Sequence, residues 1–576
     1  MRLAFLISLL LGIAQAGFGQ LSGPLSGTLG PGIYHVVGDI SVESGDSLRL
    51  LPGTTFTFDG PYPFKIYGIL LAEGTETDSI VFTTDTLANP SRWRGLRFYG
   101  SETSGSRLSY CLIENGLAPG VWPDPNSFGG GVYLDDTSPS FAHCVFANDS
   151  AQYDGGAVYC SSSFSIFTSC IFSRNSSYGG GGAISCSYSS PNFLNCRFIG
   201  NRTHGGGGAV YAGAWYAEFT DCIFTGNSAN LGGAVDWPNG DFTHCTFTGN
   251  SSRGGGGAIS TGGGTFRNCI IAHNSAGTGG GGIDGPQGTF IRCTIACNSA
   301  HNMGGGMRCG SRPSTFVNCI LIGNSVPNDE RGAAIHCISS VIIFRNCIIA
   351  FSEGAPAIFF LDSPGCRFEH CDFFGNWGNF DYWTSPWEDG PADLGVMDTI
   401  NTNGDSCDTY MNIYLDPLLR NIENGDYHLM WTQCGDSLDS PCIDAGDPSI
   451  HDHTLDCAWG LGTLISDIGL YGGDTVFSGI SYPSAPILPD KPTLFQNFPN
   501  PFNPTTQIQF DLPRSMKVEL RIYNILGQEV VTLANDIFPA GTHGVSWNAA
   551  SLPSGIYFCR MEAAGFSQTR KMLLVK

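Results

Sequence analysis

The chain has 576 residues, of which only 13% are charged, while glycine reaches 79 residues and phenylalanine 38. With 42% hydrophobic residues, this balance argues against disorder, which needs low hydrophobicity and high charge. A formal charge of −23 argues against electrostatic binding to nucleic acid or to an anionic membrane surface.

The charge is uneven along the chain. Residues 17–494 hold 45 Asp and Glu against 19 Lys and Arg, whereas residues 495–576 hold 5 against 7. The tail therefore reads as a separate small domain.

At the start, Arg2, an apolar stretch of 11 residues (3–13) and Ala14-Gln15-Ala16 have the pattern of a secretory signal, residues 1–16. The apolar stretch is too short to span a bilayer, and no later segment reads as a transmembrane helix.

The region 17–477 is read as one solenoid. Residues 28–100 form its opening coils, in which Gly53-Thr54, Gly68-Ile69-Leu70 and Trp93-Arg94-Gly95-Leu96 punctuate alternating strands. Internal repeats occupy 101–376. The unit is F-x-x-C-x-φ-x-x-N-S, then a glycine run, then A-φ. It begins at Phe141, Phe167, Phe193, Phe219, Phe242, Phe266, Phe290, Phe316 and Phe344, with a degenerate copy at Phe368.

The matching cysteines run from Cys144 to Cys371, spaced 23 to 28 residues apart. No helix fits in such a unit. Strands of three to five residues separated by corners build one coil of a parallel β-helix, with coils stacked about 4.8 Å apart. Strand alternation places each cysteine and the residue two later on one inward face, a cysteine ladder beside a Phe/Ile ladder. The asparagines five residues after most cysteines (Asn175, Asn201, Asn227, Asn250, Asn274, Asn298 and Asn324) are expected to stack as a structural amide ladder.

Stacked cysteines point the same way, so ladder members are expected to stay thiols despite export. The bridge candidates are Cys407, Cys434, Cys442 and Cys457.

Residues 377–415 break the period and read as an irregular insertion. Within them Asn401-Thr402-Asn403-Gly404-Asp405 is faintly similar to a calcium loop, but the final Glu is missing. No cofactor or metal is expected, calcium at this loop being the one candidate. Residues 416–477 resemble the closing coils of bacterial surface β-helix proteins, and their Asp residues read as turn and cap groups.

A Pro-rich linker (478–494) precedes the tail. Residues 495–576 carry NFPNPFNPTT (497–506), VELRIYNILG (518–527), Trp547-Asn548, LPSGIYF (552–558) and the ending KMLLVK (571–576). On these motifs the tail resembles the type A C-terminal sorting domain of type IX secretion. That resemblance implies a small Ig-like sandwich, recognition by an outer-membrane secretion machine, and a secreted or outer-surface location reached through the periplasm. The repeats are similar, less specifically, to those of polymorphic outer-membrane adhesins and pectate-lyase-like proteins. The expected fold class is thus all-β, a right-handed parallel β-helix followed by a small sandwich.

Of the motifs of polygalacturonase-like hydrolases, only Asp135-Asp136 has a match, and the lyase motifs have none. One outward column follows each A-φ: Tyr133, Tyr159, Ser185, Tyr211, Asp236, Ser260, Asp284, Arg308, His336 and Phe359. Tyr211, Asp236, Asp284, Arg308 and His336 form the candidate ligand-binding line, with Asp236 and Asp284 about 10 Å apart, just above the inverting-glycosidase window. Tyrosines and carboxylates along a groove suit a polysaccharide or a cell-surface glycan. The plain alternative is an ordinary solvated face. The favoured function is a surface-displayed binding or adhesive protein, and the alternative an extracellular polysaccharide lyase or glycoside hydrolase.

Overall fold

The computed structural model describes residues 19–120, 124–213, 216–327, 331–382, 389–452, 455–457, 460–472, 492–494, 497, 500, 502–512, 516–538, 541–563 and 566–575. The expected signal (1–16) and most of the expected linker (478–491) lie outside these residues. The chain divides into two units, residues 1–419 with 428–476, and residues 420–427 with 477–576.

The first unit is a right-handed parallel β-solenoid. One sheet of fourteen strands, from Gly27–Leu29 to Arg367–Glu369, carries the phenylalanine that opens each repeat. A second column of strands follows the cysteines, and a third follows the glycine runs. The 11-residue strand Gly32–Val42 pairs with both columns, so they form one continuous sheet of 28 strands.

The repeat phenylalanine and its cysteine are three residues apart, yet both are buried. Flat strand alternation would place them on opposite faces. The residue before each cysteine resolves the conflict by taking a left-handed conformation, with φ between 48° and 54° from Tyr110 to His370. Such a conformation is costly for a residue with a Cβ. Here each corner amide donates to the next coil, as His143 N does to the Thr168 carbonyl at 2.8 Å.

Two aromatic ladders fill the interior. Phe141, Phe167, Phe193, Phe219 and Phe242 stack at centroid distances of 4.9, 5.1, 4.8 and 4.6 Å. Phe146, Phe172, Phe198, Phe224 and Phe247 stack at 4.7, 4.9, 4.7 and 4.6 Å. The second ladder is the expected one; the first is an addition, and the two meet edge to face. The cysteine ladder stands beside them, its thiols from Cys111 to Cys347 each donating to a carbonyl of the preceding coil, as Cys196 does to Phe167 at 3.3 Å. Burial pushes the Cys245 and Cys347 thiols well above their usual range.

At the next corner, the asparagine side chains bond in series. Asn201 Nδ2 donates to Asn227 Oδ1 at 3.0 Å and to the Phe172 carbonyl at 2.9 Å, and each Asn amide N–H donates to the next Asn. Beyond that corner the coils nest too closely for a side chain. A Cβ on Gly182 would lie 2.1 Å from the Gly208 carbonyl oxygen.

Residues 389–415 cover the end of the solenoid. Leu394 is buried in its core, Tyr410 and Tyr414 pack against it, and Asn412 bonds the last ladder cysteine, Cys371. The segment expected to close the solenoid instead runs back outside the coils. Asp447 and Gly469 amides bond Asn346, and the Gly472 carbonyl accepts from Arg292.

Cys434 and Cys457 form a disulfide. Cys407 and Cys442, expected as bridge candidates, are free and buried against separate neighbours, Met411 and Asp372.

The second unit has a three-stranded and a four-stranded antiparallel sheet around one core. Its first strand, Thr493–Leu494, pairs with Thr505–Leu512. Trp547, Tyr557, Leu520 and Met572 lie in that core, and burial there pushes Cys559 up to about 12.

Asp149 heads the asparagine ladder. Its amide donates to Asn175 Oδ1 and its Oδ1 accepts from Gly116, but its Oδ2 stands buried and unbonded where an asparagine has its NH2. Burial raises this carboxyl well above the usual range, so ionisation destabilises the fold as pH rises through that range. Asp149→Asn should therefore stabilise the solenoid by about 1–3 kcal/mol at pH 7. The gain should vanish below about pH 4, where the acid is neutral in both states. Thermal melts at the two pH values check this. Alkylation of the denatured, non-reduced protein should label 20 thiols and leave two cysteines bridged.

Candidate binding face

The strand after each glycine run is fixed on one side by the nested glycines and on the other by a left-handed corner. Between them, the residue after A-φ points outward. Register pairing joins these residues into one unbroken column. Tyr133 pairs with Tyr159, Tyr159 with Ser185, Ser185 with Tyr211 and Tyr211 with Asp236. Asp236 then pairs with Ser260, Ser260 with Asp284, Asp284 with Arg308 and Arg308 with His336. The five residues singled out in the sequence thus stand in one line. The column extends further than expected, through Arg97, Lys65 and Ser41 at one end and Asp381 at the other.

Much of this line is roofed. Asp236 and Asp284 are each only 4% exposed and His336 1%. The roof is the glycine run itself: a Cβ on Gly206 would lie 1.9 Å from Asp236 Oδ2, and one on Gly255 1.9 Å from Asp284 Oδ2. Asp284 is also held by Arg308 in a two-point pair, Nε to Oδ1 at 2.5 Å and Nη2 to Oδ2 at 2.8 Å. Asp236 accepts from the Thr261 hydroxyl at 3.3 Å, and burial pushes it up to about 6. His336 stacks on Phe359 at 5.0 Å.

The tyrosine half of the face is more open. Tyr67 is exposed; Tyr99, Tyr159 and Tyr211 are half-buried. Tyr67 stacks on Tyr99 at 5.4 Å, and Tyr133 on Tyr159 at 5.8 Å. Beneath them Arg97 is buried, its guanidinium over the Tyr133 ring at 5.7 Å and its Nη1 on the Phe128 carbonyl. Burial lowers Arg97 to about 10.

The remaining sequence candidates have local duties. Asp136 of the Asp135-Asp136 pair is a left-handed corner, φ 53°, while Asp135 lies in register with Tyr99 and Ser161. Asn401 Oδ1 accepts from the amides of Asn403 and Asp405, closing the turn of its loop. In the back-running segment, Asp444 accepts from Thr463, and Asp467 from Asp444 and Leu461. Among the described residues no group of three or more His, Cys, Asp or Glu is arranged to hold a metal.

The sequence reading missed two rims beside the column, Tyr153, Tyr178 and Leu231 on one side and Phe164, Tyr188, Tyr216 and Trp237 on the other, all exposed. They fall where the repeat has no consensus. Aromatic residues at corners otherwise held by Ser, Thr, Gly or Asp were the available signal.

Comparison with known families agrees with this architecture. The sequence model of the right handed beta helix region matches residues 40–255 and 232–386, more than half of the chain, and the protein belongs to that family. The secretion system C-terminal sorting domain matches residues 496–576. No curated protein matches the chain. A parallel β-helix carrying a type IX sorting tail is a secreted or cell-surface protein, delivered by the type IX secretion machinery. No helix among the described residues is long and apolar enough to cross a membrane. Deleting residues 495–576 should abolish surface delivery and leave the solenoid folded. Cell fractionation and the circular dichroism of the truncated protein check the two parts.

Proposed function

We propose that this is a surface-displayed binding protein whose long outward face takes a glycan, without cleaving it. The observation that carries the reading is the state of the carboxylates. An acid–base pair must reach the scissile bond. Asp236 and Asp284 are roofed by glycine backbone, and Asp284 is already engaged by Arg308. The accessible groups on the same face include tyrosines, which offer flat apolar rings with a polar tip.

One observation favours hydrolysis as a second reading. Burial raises Asp236 to about 6, a range that suits a general acid, and two coils along the column Asp284 is held by Arg308 through two hydrogen bonds. A glycan array on the full chain, with product analysis of every hit, separates the readings. Binding without products, and affinity retained in Asp236→Asn with Asp284→Asn, is the expected outcome. Products formed by the wild type and lost in that variant would overturn it.

A further inference from the structure

Four successive coils each place a large apolar ring on one edge of the solenoid, where the glycine-run strand turns toward the next phenylalanine. These are Phe164, Tyr188, Tyr216 and Trp237, exposed by 64%, 67%, 44% and 47%. Tyr188 and Trp237 occupy the left-handed corner itself, at φ 51° and 50°. The coils that carry Phe164 and Tyr216 hold Ser162 and Gly213 at that corner, and further coils hold Asp136, Thr261, Ser339 or Asp362 there. A bulky residue there is strained, and an exposed one recovers little of that cost by burial.

Polar groups flank the rings and are fixed in place. Asn192 donates to Glu218 at 2.9 Å, and the Tyr216 hydroxyl donates to Asp241 at 3.0 Å. Both carboxylates retain oxygen lone pairs that sugar hydroxyls can use.

We propose that this edge binds a neutral polysaccharide chain lying along the solenoid axis, with Tyr188 and Trp237 as stacking platforms. Successive coils rise about 4.8 Å, so an extended chain meets one ring or polar group per coil. Flat exposed rings match the C–H faces of pyranoses, while Glu218, Asp241 and Asn192 address the hydroxyls. The carboxylates beside the rings, within a region of 45 acidic against 19 basic residues, disfavour uronate or sulfated polymers. The inference rests on the binding reading above and adds to it a place and a ligand class.

Affinity electrophoresis of the full chain in gels containing soluble neutral glucan, mannan or xylan, against gels containing polygalacturonate, tests it. Tyr188→Asn with Trp237→Asn removes both platforms and keeps a residue that tolerates the corner. Trp237→Gly is a second variant, since Gly213 and Gly285 already stand at positive φ. A neutral polymer should retard the wild type, and the double variant should bind it about tenfold more weakly while melting no lower than the wild type. Retardation by the same polymer, equal for variants and wild type, overturns the aromatic site and leaves the binding reading intact. Retardation by polygalacturonate alone overturns the ligand class. No retardation in any gel, with no hit on the glycan array, overturns both readings.

Discussion

In this solenoid each residue stands over its counterpart one coil away, about 4.8 Å above and below. Every other feature answers to that stacking. Phenylalanine and asparagine tolerate it well, because rings stack and amides both donate and accept. Thiols tolerate it as small buried hydrophobes, and their parallel Cβ vectors keep them from bridging. Charges tolerate it badly. Two like charges about 5 Å apart at an effective dielectric of about 20 repel by about 3 kcal/mol. The outward column reflects this: Asp236 and Asp284 are separated by Ser260, and Asp284 is followed by Arg308. Where Lys65 does stack on Arg97, Lys65 turns away onto Asp39 at 2.9 Å.

The same stacking explains what was legible in the sequence. A position that meets copies of itself leaves a period, so the cysteine, phenylalanine and asparagine ladders could be read residue by residue. The outward column was legible too, because its offset from A-φ is constant. Its accessibility was not. Whether Asp236 is open depends on how far Gly206 leans over it, and that follows from nested backbone, not from residue identity. The inward direction of the opening phenylalanines was hidden for a related reason. It depends on left-handed corners held by residues as different as His143, Asp221 and Arg292, which share no side-chain signal.

The path of the segment read as closing coils, residues 416–477, was not legible for a different reason. Its contacts with Asn318, Asn346 and Arg292 span about 100 to 180 positions of sequence, and no period announces them. Two of those corner residues are asparagine and one is arginine, and each finds backbone on the returning chain. The corner that carries the left-handed turn inside the repeat is therefore also the track on which the returning chain lies.

Stacking also decides which residues are free to vary toward function. Positions facing inward must pack against copies of themselves, and glycine-run positions must clear the next coil's carbonyl. Corners between the glycine-run strand and the next phenylalanine strand obey neither demand, since their side chains leave the solenoid. Four consecutive coils carry exposed rings at this turn, and among the described residues Thr261 and Gly285 hold the two corners after Trp237. A structural need would repeat with the period, as the ladders do. A cluster confined to a few coils, strained at two corners and exposed, is instead what recognition of an extended ligand requires, because affinity concentrates in a few anchoring rings and not in the scaffold that spaces them.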